Sequence, residues 1–232
     1  MSSPKLLRER AGDVLTLVLN RPDKLNAIDH ELGEQLLDGL RAAAIDAEIR
    51  VVRLRGNGRA FCAGRDVSSP PTDRDLELVQ AVSREIVTNP KPVVAAVHGW
   101  TVGAGLEWMM NADLVLAAQG SRFKLPEAQL GVFVTGGLMA TLPATVGLNR
   151  AKALMLLGNE FNATQAVEWG IATASPTEEA LERTSLQTCA RLAALGSTVA
   201  AEFKRVLNRV GLAGFEAAVL EESSVQRRLG AA

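Results

Sequence analysis

Residues 92–113 read PVVAAVHGWTVGAGLEWMMNAD, and the reading of this stretch decides that of the whole chain. Val93, Val94 and Val97 make an apolar, β-branched run expected of a buried strand. Glycines follow at positions 99, 103 and 105, and then an apolar segment, residues 106–110, carrying a single carboxylate at Glu107. A backbone that turns on small residues straight into a helix presents unpaired N–H groups with the positive ends of the peptide dipoles behind them. Such a turn can hold an anion, either a bound phosphate or an oxyanion that exists only during a reaction. Glu107 falls one turn inside that helix, with its Cβ leaning back towards the turn.

The remainder of the chain narrows the choice. Its 232 residues suit one domain, or one with a small appendage. A hydrophobic share of 47% and a charged share of 22% fit a globular protein with a sizeable core. A formal net charge of −1 gives no overall pull towards nucleic acid or anionic membrane. There is no tyrosine, which argues against stacking platforms for single strands. Cys62 and Cys189 have no metal-ligand spacing and suit a reducing compartment. No segment approaches the ~18 apolar residues of a membrane span, and the N-terminus lacks a leader-like apolar core. The expectation is a soluble, cytoplasmic protein that binds neither nucleic acid nor membrane.

Strands are expected at residues 14–19, 51–54, 93–97 and 114–118. Helices are expected from an Asp29 cap to about residue 46, at 76–87, 149–157 and 162–169, with Asn162 as cap and Gly170 as stop for the last. Residues 68–75, with two adjacent prolines, read as a mobile loop, and residues 123–142 as loops around a short helix. Ser175-Pro176-Thr177-Glu178 matches a capping box. Beyond it everything reads as helix to residue 229, broken near Gly196 and at 211–214. The composition thus shifts near residue 178, giving an α/β core over 1–178 and a helical region over 179–232.

Several chemistries fail on spacing. A dinucleotide fingerprint needs a third glycine where Leu106-Glu107-Trp108 stands, and no phosphate-cradling GxxxxGK[ST] occurs. There is no G-x-S-x-G, and His30 and His98 are isolated, which leaves neither a hydrolase triad nor a zinc site. Cys62, among small apolar neighbours, reads as a packed thiol. Carboxylates remain: Glu107 and Glu127 each sit among mostly apolar residues, and acidic side chains are rarely buried unpaired. Spacing leaves two readings of equal weight. Either Glu127 merely starts a helix after Pro126 and Glu107 pairs with an arginine, or both face one cavity. In the second case repulsion splits their proton affinities, while the helix dipole favours an ionised Glu107, so which one holds the proton stays open.

Four ordered motifs then resemble the crotonase (enoyl-CoA hydratase/isomerase) superfamily. They are residues 20–27 (NRPDKLNA), 60–66 (AFCAGRD), 91–113, and 123–131 (FKLPEAQLG), and together they span nearly the whole chain. The resemblance implies a spiral of ββα units with a C-terminal helical region that serves oligomerisation and covers the coenzyme A site. It implies homotrimers or dimers of trimers. It also implies an acyl-CoA thioester as substrate and no cofactor beyond the coenzyme A of that substrate. Carried over residue by residue, the catalytic glutamates fall on Glu107 and Glu127. The oxyanion-hole N–H groups fall on Arg65 and Ala104, and substrate contacts on Lys24, Leu25, Ala63, Arg65, Asp66, Val67, Gly103, Val134 and Thr135. With both glutamates present, the implied reaction is hydration of a trans-2-enoyl-CoA. The alternatives are isomerisation with Glu127 as proton shuttle, and an acyl-CoA-binding protein without turnover.

The sequence also departs from the family pattern. Ala104 stands for a frequent glycine and Arg65 for a frequently small residue. Residues 132–137 (VFVTGG) lack the usual proline–glycine, which implies a reshaped acyl pocket. Ser68 stands where a lysine often contacts the coenzyme A phosphates; Lys24 and Lys204 are the candidates for that part, against the more usual reading of each as a solvated surface lysine. With the chain ending at Ala232, fewer C-terminal contacts to coenzyme A are expected.

Overall fold

The computed structural model describes residues 4–230. Two strands followed by a helix recur along the chain. The first unit is β1 (Leu6–Ala11), β2 (Val14–Leu19) and α1 (His30–Ile45). In the second, β3 (Val51–Gly56) leads to α2 (Asp73–Thr88), its second strand reduced to an isolated bridge at Cys62. The third is β4 (Val93–Val97), β5 (Trp100–Val102) and α3 (Ala104–Met110). The fourth is β6 (Leu114–Ala117), β7 (Arg122–Lys124), a 3-10 turn (Glu127–Leu130) and α4 (Leu138–Val146). Then come α5 (Leu148–Leu157), β8 (Phe161–Asn162), α6 (Ala163–Glu168), α7 (Glu178–Ala193), α8 (Ser197–Gly211) and α9 (Phe215–Gly230).

The strands stack in two sheets. One runs β1-β2-β3-β4-β6, parallel except for β1, and the other runs β5-β7-β8. A parallel strand covered on both faces must be apolar throughout, and β4 is buried at all five positions. Val93, Ala95 and Val97 enter the main core with α1 and α2, while Val94 and Ala96 meet Leu181, Cys189 and Ala193 of α7. Burying one such valine contributes roughly 1.5–3 kcal/mol. The compositional shift near residue 178 therefore falls inside one packed unit, because α7 closes the second face of the sheet. On that face Arg53 of β3 is buried and donates to Thr16, Ser185 and Glu182, so its charge is fully partnered.

Local signals explain most element ends and the differences from expectation. Asp29 caps α1 by accepting the Leu32 N–H, and Asn162 caps α6 within a capping box. The segment expected to be a loop at 68–75 already turns helical at Asp73, because Thr72 and Asp75 form a reciprocal capping box. The cap of α7 is Thr177 rather than Ser175, with Pro176 left outside the helix. β1 escaped notice because it is a solvent-facing edge strand in which only Leu6 is buried. Among the described residues no helix is long and apolar enough to cross a membrane.

Candidate active site

The segment after β3 is held from both sides. Ala63 N–H donates to Leu25 O, Ile28 N–H to Gly64 O, and Asp66 N–H to Ile28 O. The Arg65 N–H between them points away and meets no acceptor among the described residues. Gly64 makes the turn possible: its φ is +84°, and a Cβ there would lie 2.8 Å from Val102 O and 3.5 Å from Ala104 N. The strip carrying Arg65 is thus pressed against the start of α3. There Gly103 (φ 54°) anchors itself through its N–H to Lys124 O and accepts from Leu106 and Glu107. Ala104, the first helical residue, has an N–H without an acceptor among the described residues. Two main-chain donors are therefore left open beside one another.

Two carboxylates complete the arrangement. Glu107 is 2% exposed, and its Oε2 accepts from Thr135 N–H at 2.9 Å and from Gly136 N–H. Oε1 has no partner among the described residues. No arginine among the described residues pairs with it, unlike in the first of the open readings. Burial, then the charges of Glu127 and Glu222, push its pKa well above the usual carboxylate range, against the two N–H donors. Glu127 opens the 3-10 turn after Pro126, and although the residue as a whole is half-buried, its Oε2 is enclosed and unpartnered. Burial pushes its carboxyl up from 4.5 to about 7. Its Oε1 lies where a Cβ on Gly103 would come within 2.8 Å, so glycine at 103 is needed for contact as well as for φ.

Glu107, Glu127, Arg65, Ala104, Ala63, Val67, Gly103 and Thr135 line one cavity of about 350 Å³. Leu76 and Val79 of α2, with Leu130, Val132 and Phe133, supply its apolar wall. Four expected contact residues lie outside this lining. Lys24 is exposed on a separate turn, and Leu25, at φ 51°, instead holds Ala63 in place. Asp66 is bound by Ser68 and then by Arg21 at 3.0 Å, which hold its carboxyl down at about 2. Val134 is buried in the core and is absent from the cavity lining. The Arg65 guanidinium folds back onto Asp66 O and Ser69 O, bracing the loop.

Lys204 requires a correction. It is 7% exposed, with Nζ 2.8 Å from Asp113 Oδ2 and donating to Ile86 O and Lys91 O. Sealed there, it cannot reach a phosphate in solvent. Residues that the sequence reading missed are Gln226, Asp75 and Thr72 on the cavity wall, and Glu222 behind it. On α9 the buried Phe215, Val219 and Glu222 recur at helical spacing and reach Gln226. That periodicity could have marked Glu222 as an interior acid.

Residues 9–226 match the family model described as enoyl-CoA hydratase/isomerase. The chain belongs to the enoyl-CoA hydratase/isomerase family, within the crotonase superfamily. It is 37% identical over 190 residues to a 1,2-epoxyphenylacetyl-CoA isomerase of Escherichia coli (strain K12), covering 78% of this chain and 72% of that one. It is 32% identical over 233 residues to the 2,3-dehydroadipyl-CoA hydratase of the same organism, covering 98% and 91%. Among solved structures, an enoyl-CoA hydratase from Mycobacterium avium subsp. paratuberculosis K-10 superposes with a TM-score of 0.94 at 30% identity, covering 99% of this chain and 95% of that one. The fold is therefore that of the crotonases.

Proposed function

We propose that the protein hydrates a trans-2-enoyl-CoA thioester. The observation that carries this reading is the meeting of two enclosed carboxylates and two open main-chain N–H groups on one cavity. The thioester oxygen would accept from Arg65 N–H and Ala104 N–H, which are fixed before charge develops on it. Preorganised donors of this kind are each worth ~100–1000-fold in rate. One glutamate takes a proton from water as its oxygen attacks C3, and the other delivers a proton to C2 on the same face. Water is thereby added syn across the double bond, and the site resets when the proton gained by the first carboxylate is returned to the second, directly or through solvent. All the groups invoked belong to the chain, and coenzyme A enters only as part of the substrate.

One observation favours a second reading. Glu127 has an unpartnered oxygen and a carboxyl poised at about 7, whereas Glu107 is tied to Thr135 and Gly136. Glu127 alone could then carry a proton between C2 and C4, which is isomerisation of a 3-enoyl-CoA. The assay follows the conjugated-thioester absorbance of purified protein with a short 2-enoyl-CoA and, separately, a 3-enoyl-CoA. Loss of absorbance with the first supports hydration, gain with the second supports isomerisation, and no change in either leaves a binder without turnover. Under hydration Glu107→Gln and Glu127→Gln each lower the rate at least ~100-fold.

The working unit under this reading is a homotrimer or a dimer of trimers. Its support is an apolar stripe on α8, where Val199, Phe203, Val206, Leu207 and Val210 turn outwards at 38–70% exposure. A stripe this continuous, flanking the face that buries Ala200 and Lys204, suits burial against a second copy.

A further inference from the structure

Behind the cavity lies a third carboxylate that the proposed reaction does not use. Glu222 of α9 is fully buried, and each of its oxygens accepts a main-chain N–H: Oε2 from Gly137 at 2.7 Å and Oε1 from Met139 at 2.8 Å. The two residues before Gly137 are Thr135 and Gly136, whose N–H groups go to Glu107 Oε2. One helical turn beyond Glu222, Gln226 Oε1 accepts from Phe133 N–H at 2.6 Å. Asn111 closes the set by donating to Gly136 O at 2.8 Å. The segment between 133 and 139 therefore hangs by its main chain from α3 on one side and α9 on the other. Consecutive peptides, at 136 and 137, point their N–H groups at two different buried acids.

Among the described residues no cation is paired with either acid. Glu107 is the sole ionisable residue of α3, and α4 has none. From α2 the nearest facing group is Ser83, whose buried hydroxyl is unpartnered and would touch a Cβ placed on Gly136. The other carboxylates on the cavity are Glu127 and Asp75, and Asp75 is engaged by Thr72 and His30. Arg65 lines the cavity with its guanidinium turned to Asp66 O and Ser69 O. On α9 the charged neighbours Glu221, Arg227 and Arg228 are exposed.

We propose that Glu222 is a positioning residue for Glu107. By holding Gly137 and Met139 it aims the Thr135 and Gly136 N–H groups, and its charge, one peptide away, strengthens the hold of Glu107 on its proton. The burial of both acids supports this, since charges act over longer range where water is excluded. The role rests on Glu107 belonging to the reactive pair proposed above, yet its test need not depend on turnover.

The test is carbon-13 NMR of protein labelled at the glutamate side-chain carboxyl carbon, with Glu107→Gln to assign the Glu107 signal. In Glu222→Gln the titration midpoint of Glu107 is expected to fall, its proton affinity dropping about tenfold or more. The reciprocal variant covers the case in which Glu222→Gln does not fold. In Glu107→Gln the midpoint of Glu222 is expected to fall by a similar factor, because coupling between two sites is mutual. Gln226→Ala removes a neighbouring anchor without changing charge and should leave Glu107 unmoved. In the hydration assay, Glu222→Gln should shift the limb of the kcat–pH profile to lower pH with little change in KM. Lower thermal stability with an unmoved Glu107 midpoint would overturn the proposal and leave Glu222 a structural anchor. A protein inert towards both thioesters whose Glu107 midpoint still moves would discard the reaction and keep the positioning role.

Discussion

Replacing Glu127 by glutamine removes a carboxyl whose ionisation the fold opposes, and the cost can be read as stability. The carboxyl titrates at about 7 in the folded protein against 4.5 in its ordinary state, chiefly because of burial. Between those values the folded chain keeps a proton that the unfolded chain has released, so stability falls as pH rises through this window. A displacement of this size corresponds to ~3 kcal/mol, and because the residue as a whole is only half-buried, solvent screening discounts it to ~2 kcal/mol. Glutamine has no such dependence. The stability of Glu127→Gln minus that of wild type should therefore be ~2 kcal/mol larger at about pH 8 than at about pH 5. Loss of the Glu127 charge also eases ionisation of Glu107, which adds with the same sign. Urea unfolding at the two pH values, at one fixed protein concentration, measures the increment. An increment that is equal at both pH values, or larger at the acidic one, would refute the burial argument for this site.

Three further outcomes follow from the geometry. Arg65→Ala should leave turnover within ~10-fold because the donor is the main chain, whereas Arg65→Pro removes the N–H and should lower kcat ~100–1000-fold in the hydration assay. Lys204→Met leaves the part-buried Asp113 without its cation and should lower unfolding free energy by ~2–3 kcal/mol by urea titration, below the cost for a fully buried pair, with kcat per folded molecule retained. Phe203→Asp places a charge in the apolar stripe of α8 and should shift the protein to smaller species by sedimentation velocity. An unchanged sedimentation coefficient would remove α8 from the interface.

Strand and helix positions were legible where burial has a simple period. The all-apolar run of β4 and the leucines of α1 follow directly from a two-sided sheet and a one-sided helix. The Glu107 turn was legible because Gly103 and its neighbours have no other use at that spacing. Residues 68–75 misled because two prolines advertise a loop, while the Thr72–Asp75 capping box that starts α2 is a local hydrogen-bond exchange three residues long. Lys204 misled because a lysine on an amphipathic helix normally reaches water, and only tertiary partners, Asp113 (91 positions earlier by numbering) with the carbonyls of Ile86 and Lys91, hold it inside. Whether Val134 faces the core or the cavity is set by the turn at 133–139, and that turn is fixed by Glu107 and Glu222 from elsewhere in the chain. No local pattern could carry this information.

The manner in which that turn is held bears on how such a protein can change over generations. Its anchors reach peptide groups, which every residue except proline offers alike, so the side chains at 133 and 135, which line the cavity, are left out of the fastening. A mutation there can alter what the cavity accepts while leaving the proton-handling carboxylates where they are. Gly136 stands apart, because even a methyl group would meet Glu107 Oε2 at 2.9 Å and Ser83 Oγ at 2.6 Å. Selection can thus tune substrate preference through one set of atoms and preserve chemistry through another, within the same seven residues.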